Sequence, residues 1–153
     1  MSRSTRSFAR GAHESGLGTV AFNSASTFVT EARGGHTFLW ANGRLRGCWN
    51  TPHVETVAIH PSGRLILARG EHIFISTGTA PEVRSVAPID GGLCAPAEWI
   101  ELEGHDGRIN ALSLVRDEMV SASDDGTLIL WDLAAASASE TSSARRALNH
   151  FKQ

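Results

Sequence analysis

Between Glu103 and Leu133 the chain reads EGHDGRINALSLVRDEMVSASDDGTLILWDL, three short apolar runs separated by tight-turn signals. Ile109, Ala111, Leu112 and Leu114 carry the first run, Met119 to Ser123 the second and Leu128 to Leu133 the third. Each has the length of a strand buried between neighbouring sheets. Asp124-Asp125-Gly126 separates the last two runs: glycine reaches the positive φ of a hairpin turn, and a preceding Asp bonds the turn's own backbone. Arg116-Asp117-Glu118 is a polar break of the same kind between the first two. These residues therefore specify a three-strand meander, entered through a Gly104-His105 loop.

Taken together, Gly104-His105, Ser121, Asp125-Gly126 and Trp131-Asp132 resemble the WD-repeat (Trp-Asp repeat) family. The resemblance covers about thirty residues and implies one blade of a β-propeller. It also implies a hydrogen-bonded structural chain inside the blade, formed here by His105, Ser121, Asp125 and Trp131. The same residue types admit an alternative, a Ser-His-Asp nucleophile in a hydrolase-like enzyme. Catalysis would need the Ser beside a pocket with an oxyanion hole. A Ser in the middle of an apolar strand fits a buried hydroxyl satisfied by a neighbour, and a buried Trp N–H also wants an acceptor.

The pattern repeats upstream. First strands equivalent to the one beginning at Ile109 begin at Gly18 and Glu55, so the starts are 37 and then 54 residues apart. Second strands follow at Thr27 to Ala32 and Arg64 to Arg69, and third strands at His36 to Ala41 and His72 to Thr77. Asn42-Gly43, Gly34-Gly35 and Pro61-Ser62-Gly63 supply turn signals. Fourth, outer strands are expected at Arg44 to Trp49 and Trp99 to Glu103. The upstream units depart from the family pattern: the first has Trp40 followed by Ala41, with Gly34 or Gly35 where the turn Asp belongs. The second lacks both the Gly-His pair and the Trp, so its assignment rests on period and strand pattern.

The expected fold is all-β: a partial β-propeller of about three blades, each a four-stranded antiparallel meander, with the last blade lacking its outer strand. The blades fall at about 13–50, 51–103 and 104–133, after a disordered basic leader over 1–12. The tail over 134–153 begins with Ala and Ser, too poor in β-branched residues for a strand. Ala144 to Phe151 could form a short amphipathic helix, although eight residues are marginal alone and a frayed tail competes. The longer spacing reflects an insertion over 78–98, and long connections in compact repeats are either functional or mobile. Pro81, Arg84, Pro88 and Pro96 make it the candidate partner-contacting loop.

Closed propellers use about four to eight blades, whereas 153 residues supply about three repeats of roughly 40–45. Three blades cannot close a ring, and an open arc exposes the apolar faces of its ends. The chain is therefore expected to be a fragment of a longer propeller, or to be completed by self-association or by another protein.

The family resemblance implies a non-catalytic scaffold that binds other proteins within a multiprotein assembly. Two degenerate units ahead of one clear unit resemble the WD-repeat factors of ribosome maturation. A non-functional gene remnant is the remaining alternative. A net charge of −2 implies no general affinity for nucleic acid. No run approaches the length that spans a bilayer.

No cofactor is indicated, since Gly34-Gly35-His36 and Gly91-Gly92 are not followed by helices and do not read as phosphate loops. No metal is expected either: His53, His60 and His72 fit no common ligand spacing. Glu101 and Glu103 share one strand face, which an exposed surface explains. Cys48 and Cys94 lie on different parts of the repeat and read as two thiols suited to a reducing compartment. A cytoplasmic or nuclear location is expected, with an organellar alternative from Arg3, Arg6, Arg10 and the Ser/Thr-rich leader.

Overall fold

The computed structural model describes residues 16–24, 26–33, 35–51, 54–79, 95–96, 98–134 and 145–148. The leader over 1–12 and most of the 134–153 tail lie outside the described residues. Every described regular element is a strand. The first sheet contains β1 (Leu17–Ser24), β2 (Thr27–Ala32), β3 (His36–Ala41) and β4 (Arg44–Asn50), with a short β8 (Ala95–Pro96) on its outer edge. The second contains β5 (Thr56–Ile59), β6 (Arg64–Arg69), β7 (His72–Thr79) and β9 (Trp99–Leu102). The third contains β10 (Ile109–Val115), β11 (Glu118–Ser123), β12 (Leu128–Asp132) and β13 (Arg145–Leu148). Apart from the parallel β4–β8 pair, neighbouring strands run antiparallel in chain order.

Local sequence explains the meanders. Asn42 and Gly43 both take positive φ, 51° and 72°, between β3 and β4, the conformation of a two-residue turn whose twist matches its flanking strands. Gly126, at φ 82°, closes the β11–β12 hairpin. Asp125 accepts there from both the backbone N–H and the hydroxyl of Thr127, at 2.8 and 2.7 Å.

The middle sheet explains how three sheets stack into an arc. In β6, Leu65, Ile66, Leu67 and Ala68 are all buried, because successive side chains point to opposite faces and both faces are covered. Leu65 and Leu67 join Val29, Trp49, Val57 and Ile59 in a core against the first sheet. Ile66 and Ala68 join Ile109, Met119, Ile129 and Trp131 in a core against the third. The innermost strands follow the same order, with β5 touching both β1 and β10. Blade-like four-stranded meanders stacked face to face make this a partial β-propeller.

Three expectations need correction. The last blade does not lack an outer strand: β13 pairs with β12, from Leu128 opposite Leu148 to Trp131 opposite Arg145. Without β13 the edge of β12 would present a row of unpaired N–H and C=O groups, and the ladder supplies the support that so short a segment lacks alone. This strand occupies part of Ala144 to Phe151, in place of the short helix or frayed tail expected there. Second, the end of the 78–98 insertion does not remain in the second unit. Residues Ala95 and Pro96 run parallel to Trp49 and Asn50 of the first sheet, and the missing N–H of Pro96 is tolerated at such an edge position.

Third, Cys48 is not a thiol. It is fully buried and disulfide-bonded, and no free cysteine is present among the described residues. The sequence holds one other cysteine, Cys94, immediately before β8. Separation along the repeat misled here because the returning chain lies beside β4, which carries Cys48.

Candidate functional site

The structure brings His105, Ser121, Asp125 and Trp131 together. Trp131, on β12, donates its indole N–H to Ser121 Oγ on β11 at 2.8 Å. Ser121 Oγ also lies 2.7 Å from His105 Nε2, and His105 Nδ1 lies 3.0 Å from Asp125 Oδ2. With Asp125 ionised, Nδ1 carries a proton and donates to it. A neutral imidazole then accepts the Ser121 hydroxyl proton at Nε2, so every donor in the chain has an acceptor.

Asp125 is the anchor. Shielding from solvent would raise its pKa, but donation from the Thr127 hydroxyl, the Asp106 and Thr127 N–H groups and His105 outweighs it. The carboxyl is held well below the usual carboxylate range.

Nucleophilic chemistry does not fit these four hydrogen-bonded residues. Ser121 is fully enclosed and His105 is 5% exposed. The Ser121 oxygen already accepts from an indole at 2.8 Å and has no exposed surface.

Corresponding positions in the other sheets carry altered versions. In the first sheet, Trp40 donates to Thr30 Oγ1 at 2.8 Å, across the same ten-residue spacing as Trp131 and Ser121. Thr30 escaped sequence reasoning, although stepping back ten residues from Trp40 finds it. In the second sheet both members change. Leu67, opposite Phe74, stands at the hydroxyl position, and Ser76, at the Trp position, accepts from the Leu65 N–H and donates to the Gly78 carbonyl. Losing the indole N–H and its acceptor together leaves no orphaned buried group.

Of the candidate partner loop, Pro81, Arg84 and Pro88 lie outside the described residues, and Pro96 lies in β8. His60 makes contacts at both ring nitrogens, with Ser62 Oγ at 2.7 Å and Asp117 Oδ1 at 2.9 Å; His53 lies outside the described residues.

A groove of about 580 Å3 opens where the first strands of all three sheets converge, lined among others by Val20, Phe22, Val57, Ile59, Leu114 and Val115. Val20, Phe22 and Val115 are 55%, 67% and 71% exposed. Phe22 begins an aromatic row on the outer face of the first sheet, with ring centroids 5.3 Å from Phe22 to Phe28 and 6.3 Å from Phe28 to Trp40.

This is the architecture of a repeat protein built from propeller blades. The family described as WD domain, G-beta repeat matches residues 99–132, so that stretch is a WD repeat, as its Gly-His and Trp-Asp pairs indicate. The matched unit begins with β9, the outer strand of the second sheet, and ends with β12 of the third. Comparison with curated proteins finds no match for the chain.

Proposed function

We propose that this chain is a non-catalytic scaffold that binds other proteins, and that further propeller blades complete its arc, supplied by the rest of a longer propeller, by a second copy or by a partner. The observation that carries this reading is the exposure of Val20, Phe22 and Val115 beside the groove between the innermost strands. Apolar side chains at that depth are covered when a propeller ring closes, and a contiguous exposed set marks an interaction surface. Fixed hydrogen bonds in the third blade and a doubly covered middle sheet give the rigidity a platform needs. Enclosure of Ser121 argues against the hydrolase-like alternative.

Light scattering coupled to size exclusion tests the reading on the full chain. A discrete dimer or larger ring that dissociates when Val20, Phe22 and Val115 are replaced by Ser supports completion by self-association. A stable monomer whose partner capture is abolished by the same substitutions supports completion by another protein. A folded monomer with neither behaviour overturns both of these routes, and an aggregating chain that becomes monomeric with the three substitutions supports completion within a longer propeller. Ribosome maturation is the assembly that the order of the units favours, and co-purification with ribosomal precursor particles is its test.

A further inference from the structure

The outer edge of the second sheet holds a group of side chains that the scaffold reading does not use. β7 and β9 pair with Ile73 opposite Leu102 and Phe74 opposite Glu101, a register that sets His72 opposite Glu103. His72, Glu101 and Glu103 therefore share one face of the sheet. One ligand atom from each lies within 4.8 Å of the other two.

Two observations separate this group from a solvated patch of acids. The ring of His72 stands between carboxylates, with Glu101 Oε1 at 2.6 Å from Nδ1 and Glu71 Oε1 at 3.5 Å from Nε2. Nδ1 is itself shielded from solvent and yet makes no hydrogen bond. Glu101 is close enough for one but lies out of line, so the contact is an ion-pair approach without the geometry of a bond. In addition, Glu71, His72 and Glu103 line a cleft of about 520 Å3 together with Gly104, His105 and Asp106. Several carboxylates around one imidazole, facing an open cleft, form an electrostatic arrangement that a cation relieves.

We propose that His72, Glu101 and Glu103 bind a divalent first-row transition ion, represented by Zn2+, through one ring nitrogen and one oxygen from each carboxylate. Mixed imidazole and carboxylate donors suit such ions, whereas Mg2+ and Ca2+ take oxygen ligands. Bond lengths of about 2.0–2.2 Å place two ligands of one ion no more than about 4.4 Å apart. Small rotations of exposed side chains are enough to close the group onto an ion. Three protein ligands leave coordination positions facing the cleft, open to water or to a donor group from a bound protein. The ion would tie the start of β7 to the end of β9, next to the loop that delivers His105.

Titration calorimetry of the purified full chain with Zn2+, with Mg2+ as control, tests the site alongside Co2+ absorption spectra. The expected result is saturable Zn2+ binding at one ion per chain, Co2+ d–d bands that Zn2+ displaces, and no response to Mg2+. His72→Gln, Glu101→Gln and Glu103→Gln should each weaken Zn2+ binding by more than about tenfold. All three positions are partly or fully exposed, so these variants should melt like the parent chain without metal. Absence of saturable Zn2+ binding overturns the proposal. So does binding that all three variants retain at parental strength, which would place the ion on other histidines.

Discussion

Replacing Ser121 by Ala tests the central energetic claim. The substitution removes one oxygen that accepts from Trp131 at 2.8 Å and contacts His105 at 2.7 Å, at a position fully enclosed by protein. Two net hydrogen bonds at about 1 kcal/mol each are lost, and each stranded buried group adds a desolvation cost of about 1–3 kcal/mol, partly overlapping with the first loss. The expected destabilisation is therefore about 2–5 kcal/mol, a large share of the roughly 5–15 kcal/mol that holds a domain folded. Urea denaturation of the full chain, followed by circular dichroism and tryptophan fluorescence, measures it.

A double-mutant cycle with Trp131→Phe isolates the indole bond, and the pair should couple by about 1 kcal/mol or more. If Ser121→Ala lies within about 0.5 kcal/mol of the parent chain, the bonded chain does not hold the blade together and the argument fails. A folded Ser121→Ala protein that has lost a hydrolytic turnover seen in the parent chain would instead support the enzymatic alternative.

Thr30→Val in the first sheet removes the corresponding acceptor from Trp40 while conserving shape, and should cost about 1–3 kcal/mol in the same assay. The Asp125 carboxyl, held low when folded and near 3.9 when unfolded, stabilises the fold fully only above about pH 5. That contribution fades as pH falls through the folded value, so a stability–pH profile should decline in acid, and Asp125→Asn should flatten the decline. Thiol titration of the unreduced, denatured chain should find no free cysteine, and reduction should lower stability by about 2–4 kcal/mol. His60→Ala breaks a contact between the second and third sheets, but its partner Asp117 is 57% exposed. Its ion-pair contribution should therefore be no more than about 1 kcal/mol, read by a double-mutant cycle with Asp117→Ala.

The sequence disclosed the third blade because its chemistry is local. Turn residues, period-2 burial and the spacing from Ser121 to Trp131 all lie within one unit, and each follows from near neighbours. The same holds for the expected outer strands at Arg44 to Trp49 and Trp99 to Glu103, which the structure places in β4 and β9. Pairing across long separations was hidden. Nothing near Arg145 marks it as a partner for Trp131, and nothing near Ala95 points to Trp49. Both pairings depend on where the chain returns in space, and both complete sheet edges.

The metal candidate combines both cases. Glu101 and Glu103 were legible as a same-face pair, but His72 joins them only through the β7–β9 register. Thr30 escaped because the family pattern directs attention to a Ser and a turn Asp, whereas the physical requirement is an acceptor for the Trp40 indole.

The WD repeat over 99–132 begins one strand before the sheet that it chiefly builds. Sequence unit and structural layer are therefore out of phase by one strand. A cut before Trp99 would remove the repeat whole while leaving β7 with a bare edge, its backbone groups open to any passing strand. A cut after Leu102 would keep the second sheet intact but divide the repeat. Units joined in this way behave like overlapping roof tiles: each carries the strip that seals its predecessor, so adding or losing one always alters two sheets.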